Sequence, residues 1–358
     1  MLRRQELIPH LSQLAQNFAL GLVILLSLLV SGCHPAESIS VLSGNTMGTT
    51  YRVSITQAPH AIDPEVLRKK IEIKLIKINK LMSTYDSDSE ISRFNRATVN
   101  HPFPVSKQTF EVLQFSLFLS RSTRGAFDPT VGPLVDLWGF GPLGSIQEVP
   151  EASAIAAAKR KIGYGSLILT SEPATLTARQ PRRLDLSAVA KGFAVDQIGA
   201  LLDQNGHQSY LVEIGGELLS KGSKPGGVPW RVAVELPEPQ LRGILRTVPL
   251  IDKAIATSGD YRNYFEHDGK RFSHTLDPRT GNPVTHNLTS VTVLADTAME
   301  ADGWATALAV LGPDEGLKLS NQLDIATLML VRREDALRAI ESQAFKEYVS
   351  SVSEQAMP

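Results

Sequence analysis

The chain has 358 residues, 42% of them hydrophobic and 20% charged, an ordinary globular composition with room for one large domain or two small ones. A formal net charge of −1 leaves no basic field for nucleic acid, so no nucleic-acid partner is expected. The single cysteine, Cys33, excludes an intramolecular disulfide.

The N-terminus reads as a targeting segment. Arg3 and Arg4 precede an apolar run from Phe18 to Val30, the length of a signal-peptide core and short for a spanning helix. Leu29-Val-Ser-Gly-Cys33 puts small residues just before the cysteine, which suits cleavage and lipid attachment at Cys33. A plain N-terminal membrane anchor with a chance cysteine is the other reading. Residues 1–32 are expected to be a lipoprotein signal peptide and 33–44 a lipid-anchored tether. The mature protein would then sit on the periplasmic side, held to the inner or outer membrane of a Gram-negative cell. His34 after the cysteine leans toward the outer one.

Thr46–Ile55 closes on β-branched, alternating residues and is expected to be a strand. Leu67, Ile71, Leu75, Ile78 and Met82 recur at helical spacing and predict a helix over 64–82. Ser106 caps a second helix, with a stripe at Phe110, Leu113 and Leu117, that stops at Gly125. Four Gly and two Pro within 125–141 exclude a regular element throughout. An alanine-rich helix is expected over 153–161, then β-patterned pieces at 166–170, 174–178 and 183–186. A helix runs from Ser187 to about Asp203, closed by Asn205-Gly206. Strands follow at 210–214 and, across a Gly215-Gly216 turn, 217–220, then at 230–235, 247–251 and 289–295. Thr297-Ala-Met-Glu300 resembles a capping box opening a helix that ends near Gly312, before a last helix, strand and helix. Strands joined by tight turns predict an α+β class with a largely antiparallel sheet and packed helices. One domain is expected over 45–350, with a helical subregion at 64–125.

Four groups of residues can carry chemistry. Leu184-Asp-Leu leads straight into the helix start at Ser187, where free N–H groups favour a phosphate; Lys191 lies one turn in and Gly192 admits a close neighbour. The same residues also suit a capped amphipathic helix with a solvated lysine. Asp302 and Thr306 share one face of an otherwise apolar helix and offer hard oxygen to Mg²⁺. An aspartate serving the helix dipole, with a threonine bonded back to the backbone, accounts for them equally. Tyr85 and Phe127 can stack on a flat ring beside Gly/Pro loops, or be core aromatics. Finally, 257–281 holds two histidines and four carboxylates. Within it His274, between Ser273 and Thr275, is a candidate general base oriented by Asp277 or Asp260, or else a structural turn histidine. His267 and His286 read as ordinary loop histidines. Taken together, the groups suggest a nucleotide-like ligand, a divalent cation at its phosphates, and chemistry at phosphorus.

Several long stretches, in one order, resemble the ApbE family: Thr46-Met-Gly-Thr-Thr-Tyr51, Met82-Ser-Thr-Tyr-Asp86, Ser89-Glu-Ile-Ser-Arg-Phe-Asn95, Gly125-Ala-Phe-Asp-Pro-Thr-Val-Gly132, Asp185-Leu-Ser-Ala-Val-Ala-Lys-Gly192, Glu213-Ile-Gly-Gly-Glu217 and Ser273-His-Thr-Leu-Asp-Pro-Arg-Thr-Gly281. The resemblance runs from about 45 to 330. It implies an ApbE-type, T-fold-related domain and an enzyme, an FAD:protein FMN transferase. In that activity a threonine hydroxyl of a partner protein takes FMN from FAD through a phosphoester bond and AMP leaves, with Mg²⁺ required. The acceptors implied resemble subunits of sodium-pumping NADH:quinone reductase and of the Rnf complex, at a Ser-Gly-Ala-Thr-type sequence.

Position by position, the resemblance implies FAD contacts from Met47, Tyr85, Ala126, Phe127, Asp128, Asp185, Lys191 and Leu276. It implies a metal site from the backbone carbonyl of Ala188 with Asp302 and Thr306, and His274 as the base. Mn²⁺ suits the same oxygens. Gly303-Trp304 departs from the alanine followed by leucine or tryptophan of many relatives and leaves the metal pair intact. The same site would serve an FAD pyrophosphatase giving FMN and AMP. A non-catalytic flavin-binding lipoprotein would need neither His274 nor the 302/306 pair.

Overall fold

The protein is described here by a computed structural model covering residues 38–355 apart from 57–61, 143–147, 238–242, 260–263 and 335. The expected signal peptide, Cys33, the first part of the tether and Asp260 lie outside the described residues.

Strands β1 (Ile39–Thr46) and β2 (Thr49–Thr56) form an antiparallel hairpin. Helix α1 (Pro64–Met82) follows. The Asp63 carboxylate accepts from the Glu65 N–H at 2.7 Å, and Pro64 sits in the first turn, where a missing N–H breaks no helical bond. The buried residues of α1 are Leu67, Ile71, Leu75, Ile78 and Met82, as the spacing predicts. Helix α2 (Glu90–Phe94) and strand β3 (Phe103–Pro104) lead to α3 (Lys107–Ser122), whose Ser106 cap accepts from Thr109 N–H at 3.2 Å. Then come α4 (Gly132–Leu137), α5 (Ala152–Lys159), β4 (Leu167–Ser171), β5 (Ala174–Ala178) and α6 (Ser187–Gln204). A run of strands follows: β6 (Tyr210–Ile214), β7 (Glu217–Lys221), β8 (Trp230–Glu235), β9 (Ile244–Leu250) and β10 (Ala254–Gly259). It continues through β11 (Tyr264–His267), β12 (Lys270–Ser273), β13 (Leu276–Asp277), β14 (Asn282–Pro283) and β15 (Leu288–Ala295). Helix α7 (Ala298–Gln322), the hairpin β16 (Ala326–Arg333) and β17 (Ala336–Glu341), and α8 (Gln343–Gln355) complete the chain.

Eight strands form one antiparallel sheet in the order β1-β2-β6-β7-β10-β15-β16-β17. Its middle strands are covered on both faces. On β10, Ala254 and Ala256 join one apolar cluster while Ile255 joins another; on β16, Met329 and Val331 go one way and Leu328 and Leu330 the other. The first cluster holds the sheet against α1, α3, α6 and α7; the second lies under β8, β9 and α8. Each such Val, Leu or Ile contributes about 1.5–3 kcal/mol by leaving water. Two-faced burial is also why β15 is buried along seven of its eight residues rather than alternately.

The structure corrects several expectations. Residues 39–44 are not tether: they belong to β1, paired residue by residue with β2 and anchored inward by Leu42. Residues 183–186 form no strand. The Asn95 amide replaces the missing neighbour, donating to Leu184 C=O at 3.0 Å and accepting from Leu184 N–H at 2.7 Å. The helix opened by Thr297 does break at Gly312 as expected, where φ 80° and ψ 178° leave helical geometry, and Pro313 opens the next helical segment, which runs to Gln322. After it come two strands, not one. The polar stretch 257–281 is largely β-structure rather than loop.

Candidate active site

One cavity of about 1150 Å³ opens where the chain ends of β6, β7 and β10 meet the starts of α6 and α7. Eleven of the twelve candidate site residues within the described chain line it: Tyr85, Ala126, Phe127, Asp128, Asp185, Ala188, Lys191, His274, Leu276, Asp302 and Thr306. Met47 is not on its wall. It occupies the β1–β2 turn at φ 47° and packs on the core.

The wall is built by backbone devices. Arg124 at φ 52° and Gly125 at φ 82° reverse the chain after α3, and Thr123 Oγ1 accepts from Phe127 N–H at 3.1 Å. Phe127 is therefore a core aromatic whose edge reaches the cavity, whereas Tyr85 is 72% exposed at the rim. Asp128 is buried and its carboxylate accepts from Thr130 N–H (2.8 Å), Thr130 Oγ1 (2.6 Å) and Tyr164 N–H (3.0 Å). Burial raises its pKa and those bonds oppose the rise. Asp185 folds over the start of α6, accepting from Ser187 N–H at 2.9 Å and Ser187 Oγ at 2.6 Å.

Helices α6 and α7 cross so closely that a Cβ on Gly192 would lie 2.2 Å from Ala298 O. The close neighbour that Gly192 admits is thus the first turn of α7, not a ligand. Asp196 clasps the same turn, accepting from Ala298 N–H at 2.7 Å and Met299 N–H at 2.9 Å. Burial pushes the Asp196 carboxyl up to about 7, against the pull of those two bonds. The crossing sets Lys191 between two carboxylates, 2.9 Å from Glu217 Oε1 and 3.6 Å from Asp302 Oδ1. Asp302 Oδ2 accepts from Gly192 N–H at 3.0 Å. Burial works against the charge on Lys191, but Asp302 and Glu217 more than offset it and the ammonium is held charged. Burial raises both carboxyls; repulsion from Asp302 adds to the rise at Glu217, and Lys191 opposes it at both. Lys191 thus lines the cavity with its ammonium already shared between these two carboxylates.

His274 sits between β12 and β13, with Phe140 edge-to-face at 6.2 Å and 70°. Trp138, Phe265 and Phe272 stack behind it, and Trp138 Nε1 donates to Gly281 O at 2.9 Å, pinning the corner after Asp277. The Asp277 carboxylate grips the Arg279 guanidinium at 3.0 Å and accepts from the Arg279 N–H at 2.8 Å. His267 and His286 are not on the cavity wall.

Sequence reasoning missed Glu217 as a site residue. It is 5% exposed, and its Oε2 is buried without a hydrogen-bond partner. The available signal was a carboxylate directly after the Gly215-Gly216 turn, followed by Leu218 and Leu219.

The chain is similar to known proteins along most of its length. The ApbE family description matches residues 47–329. An FAD:protein FMN transferase of Vibrio cholerae serotype O1 is 45% identical over 337 residues, covering 94% of this chain and 99% of that protein. Its Escherichia coli K12 counterpart is 41% identical over 319 residues, 88% and 91% of the two chains. The solved structure of flavin transferase ApbE from Vibrio cholerae matches with TM-score 0.81 at 42% identity, covering 87% of this chain and 99% of that one. With the fold, the motifs and nearly the whole length in agreement, the chain belongs to the ApbE family.

Proposed function

We propose that the protein is an FAD:protein FMN transferase. The observation that carries this reading is one cavity lined together by His274, the start of α6, and the Lys191, Glu217 and Asp302 cluster. FAD lies with its diphosphate toward the start of α6, where N–H groups and the helix dipole favour anionic oxygen. Phe127, Leu276 and the rim Tyr85 present flat apolar surface to the rings. His274 takes the proton from a threonine hydroxyl of the acceptor. That oxygen bonds to the FMN-side phosphorus, the bond from phosphorus to the bridging oxygen breaks, and AMP departs with the bridging oxygen.

Mg²⁺, or Mn²⁺, fits the oxygen donors present. Among the described residues no cluster of three or more His, Cys, Asp or Glu stands ready for a metal. The donor set is instead the Asp302 carboxylate, the Thr306 hydroxyl and the Ala188 carbonyl, all on the cavity wall, with two carboxylates facing one ammonium. A hard cation that completes its shell with phosphate oxygens and water needs no more, and when bound it neutralises diphosphate charge. Lys191 holds the Asp302 carboxylate in place for it.

The transferase domain begins with β1 at Ile39 in this reading and is preceded by a signal peptide and a lipid-bearing Cys33 on the periplasmic side. The Arg3-Arg4 pair, the apolar run and Leu29-Val-Ser-Gly-Cys33 support that placement. The acceptors resemble subunits of sodium-pumping NADH:quinone reductase or the Rnf complex. Incubation with FAD, Mg²⁺ and such a subunit, followed by intact mass, tests the function: a gain of one FMN is expected. Free FMN and AMP without a mass gain would make it a pyrophosphatase, and unchanged FAD a flavin-binding protein.

A further inference from the structure

The outer face of the sheet is only half covered. Strands β8, β9 and α8 pack over β10, β15 and β16 and reach Leu211 on β6, while among the described residues Ile39, Val41 and Arg52, farther out on β1 and β2, stay exposed. Ile39 and Val41 are 41% and 46% exposed there, and Arg52, Ser54, Leu211 and Glu213 extend the floor. This floor is continuous with the cavity that holds His274. The facing wall is β8, every one of whose residues from Trp230 to Glu235 lines the cavity. One edge of β8 pairs with β9; among the described residues no strand pairs with the other. A free edge is a row of N–H and C=O groups suited to another extended chain.

We propose that this groove receives the acceptor as an extended polypeptide segment, which adds as a strand to the free edge of β8 and crosses the β1–β2–β6 floor so that its hydroxyl reaches His274. The inference rests on the transferase reading above. A floor of Ile39, Val41 and Leu211, with Arg52, Arg231 and Glu213 carrying both signs of charge, suits a peptide backbone with small alternating side chains and suits neither a polyanion nor a bilayer.

The test uses the full chain with FAD, Mg²⁺ and a peptide carrying a Ser-Gly-Ala-Thr sequence with its flanking residues. Ala233→Arg and Val41→Arg put bulk into the groove from opposite walls. Each is expected to raise the KM for the peptide by about tenfold or more while FAD affinity stays unchanged. In parallel, backbone N-methylation of the peptide at one alternating set of positions blocks transfer and at the other set does not. Transfer by the wild type with both variants and all methylated peptides unaffected overturns the groove and leaves the transferase reading standing. Wild-type protein that transfers nothing overturns that reading first. Loss of FAD affinity in the variants assigns the groove to the nucleotide, and a changed oligomeric state assigns it to a second copy; either outcome overturns the proposal.

Discussion

At the residue scale the site depends on which charges are neutralised by neighbours. Lys191 shares its ammonium between Glu217 and Asp302, and Asp277 gives its carboxylate to Arg279. His274 lies on the wall of the same cavity and is the proposed base. His274→Ala is expected to keep FAD binding and lose transfer by about 10²–10⁴-fold, read as FMN mass gained by the acceptor over time; transfer at the wild-type rate would remove the base assignment. His274, Asp302 and Thr306 were legible because polar groups in apolar or turn-rich surroundings call for an explanation. Glu217 was not, because strand spacing does not say that its free oxygen ends up buried beside a lysine on another element. Met47 was misplaced for a similar reason: a motif carries residue identity, and the β1–β2 turn here directs that residue to the core.

At the element scale the decisive contact is the crossing of α6 and α7. Glycine at 192 lets the helices touch, and Asp196 supplies acceptors for the first N–H groups of α7 beside the Thr297 cap. Burial pushes the Asp196 carboxyl up to about 7 in the folded chain, from the 3.8 of a free aspartate. Between those values the folded chain keeps a proton that the unfolded chain releases. Stability from this group is therefore fully present below pH 3.8 and is lost as pH rises toward 7. Asp196→Asn is expected to flatten that part of the stability profile, measured by denaturant unfolding at a series of pH values; an unchanged slope would show that the group titrates normally. Helices α1, α3 and α6 were readable from caps and periodicity, which are local. The 183–186 segment was misread because apolar alternation looks alike whether the backbone is paired by a strand or by the Asn95 side chain.

At the scale of the whole molecule, a cavity shared by two helices, a loop and several strand ends makes ligand binding and stability one quantity. FAD with Mg²⁺ is expected to stabilise the protein by about 2.7 kcal/mol at a hundredfold excess over Kd, seen as a rise in Tm. Asp302→Ala is expected to lose the Mg²⁺-dependent part of that rise; an equal rise in both proteins would remove Asp302 from the metal site. The antiparallel α+β class was legible from tight turns between strands, but the strand order was not, since β2 pairs with β6 across more than a hundred and fifty residues of intervening chain. The Asp196 and Gly192 contacts to α7 likewise span 102 and 110 positions. A chain made from its N-terminus exposes the acidic and basic groups of α6 long before α7 exists to receive them. The wall of the cavity therefore assembles only after Thr306 has been released, so a ligand of that cavity acts late in folding and cannot guide its early steps.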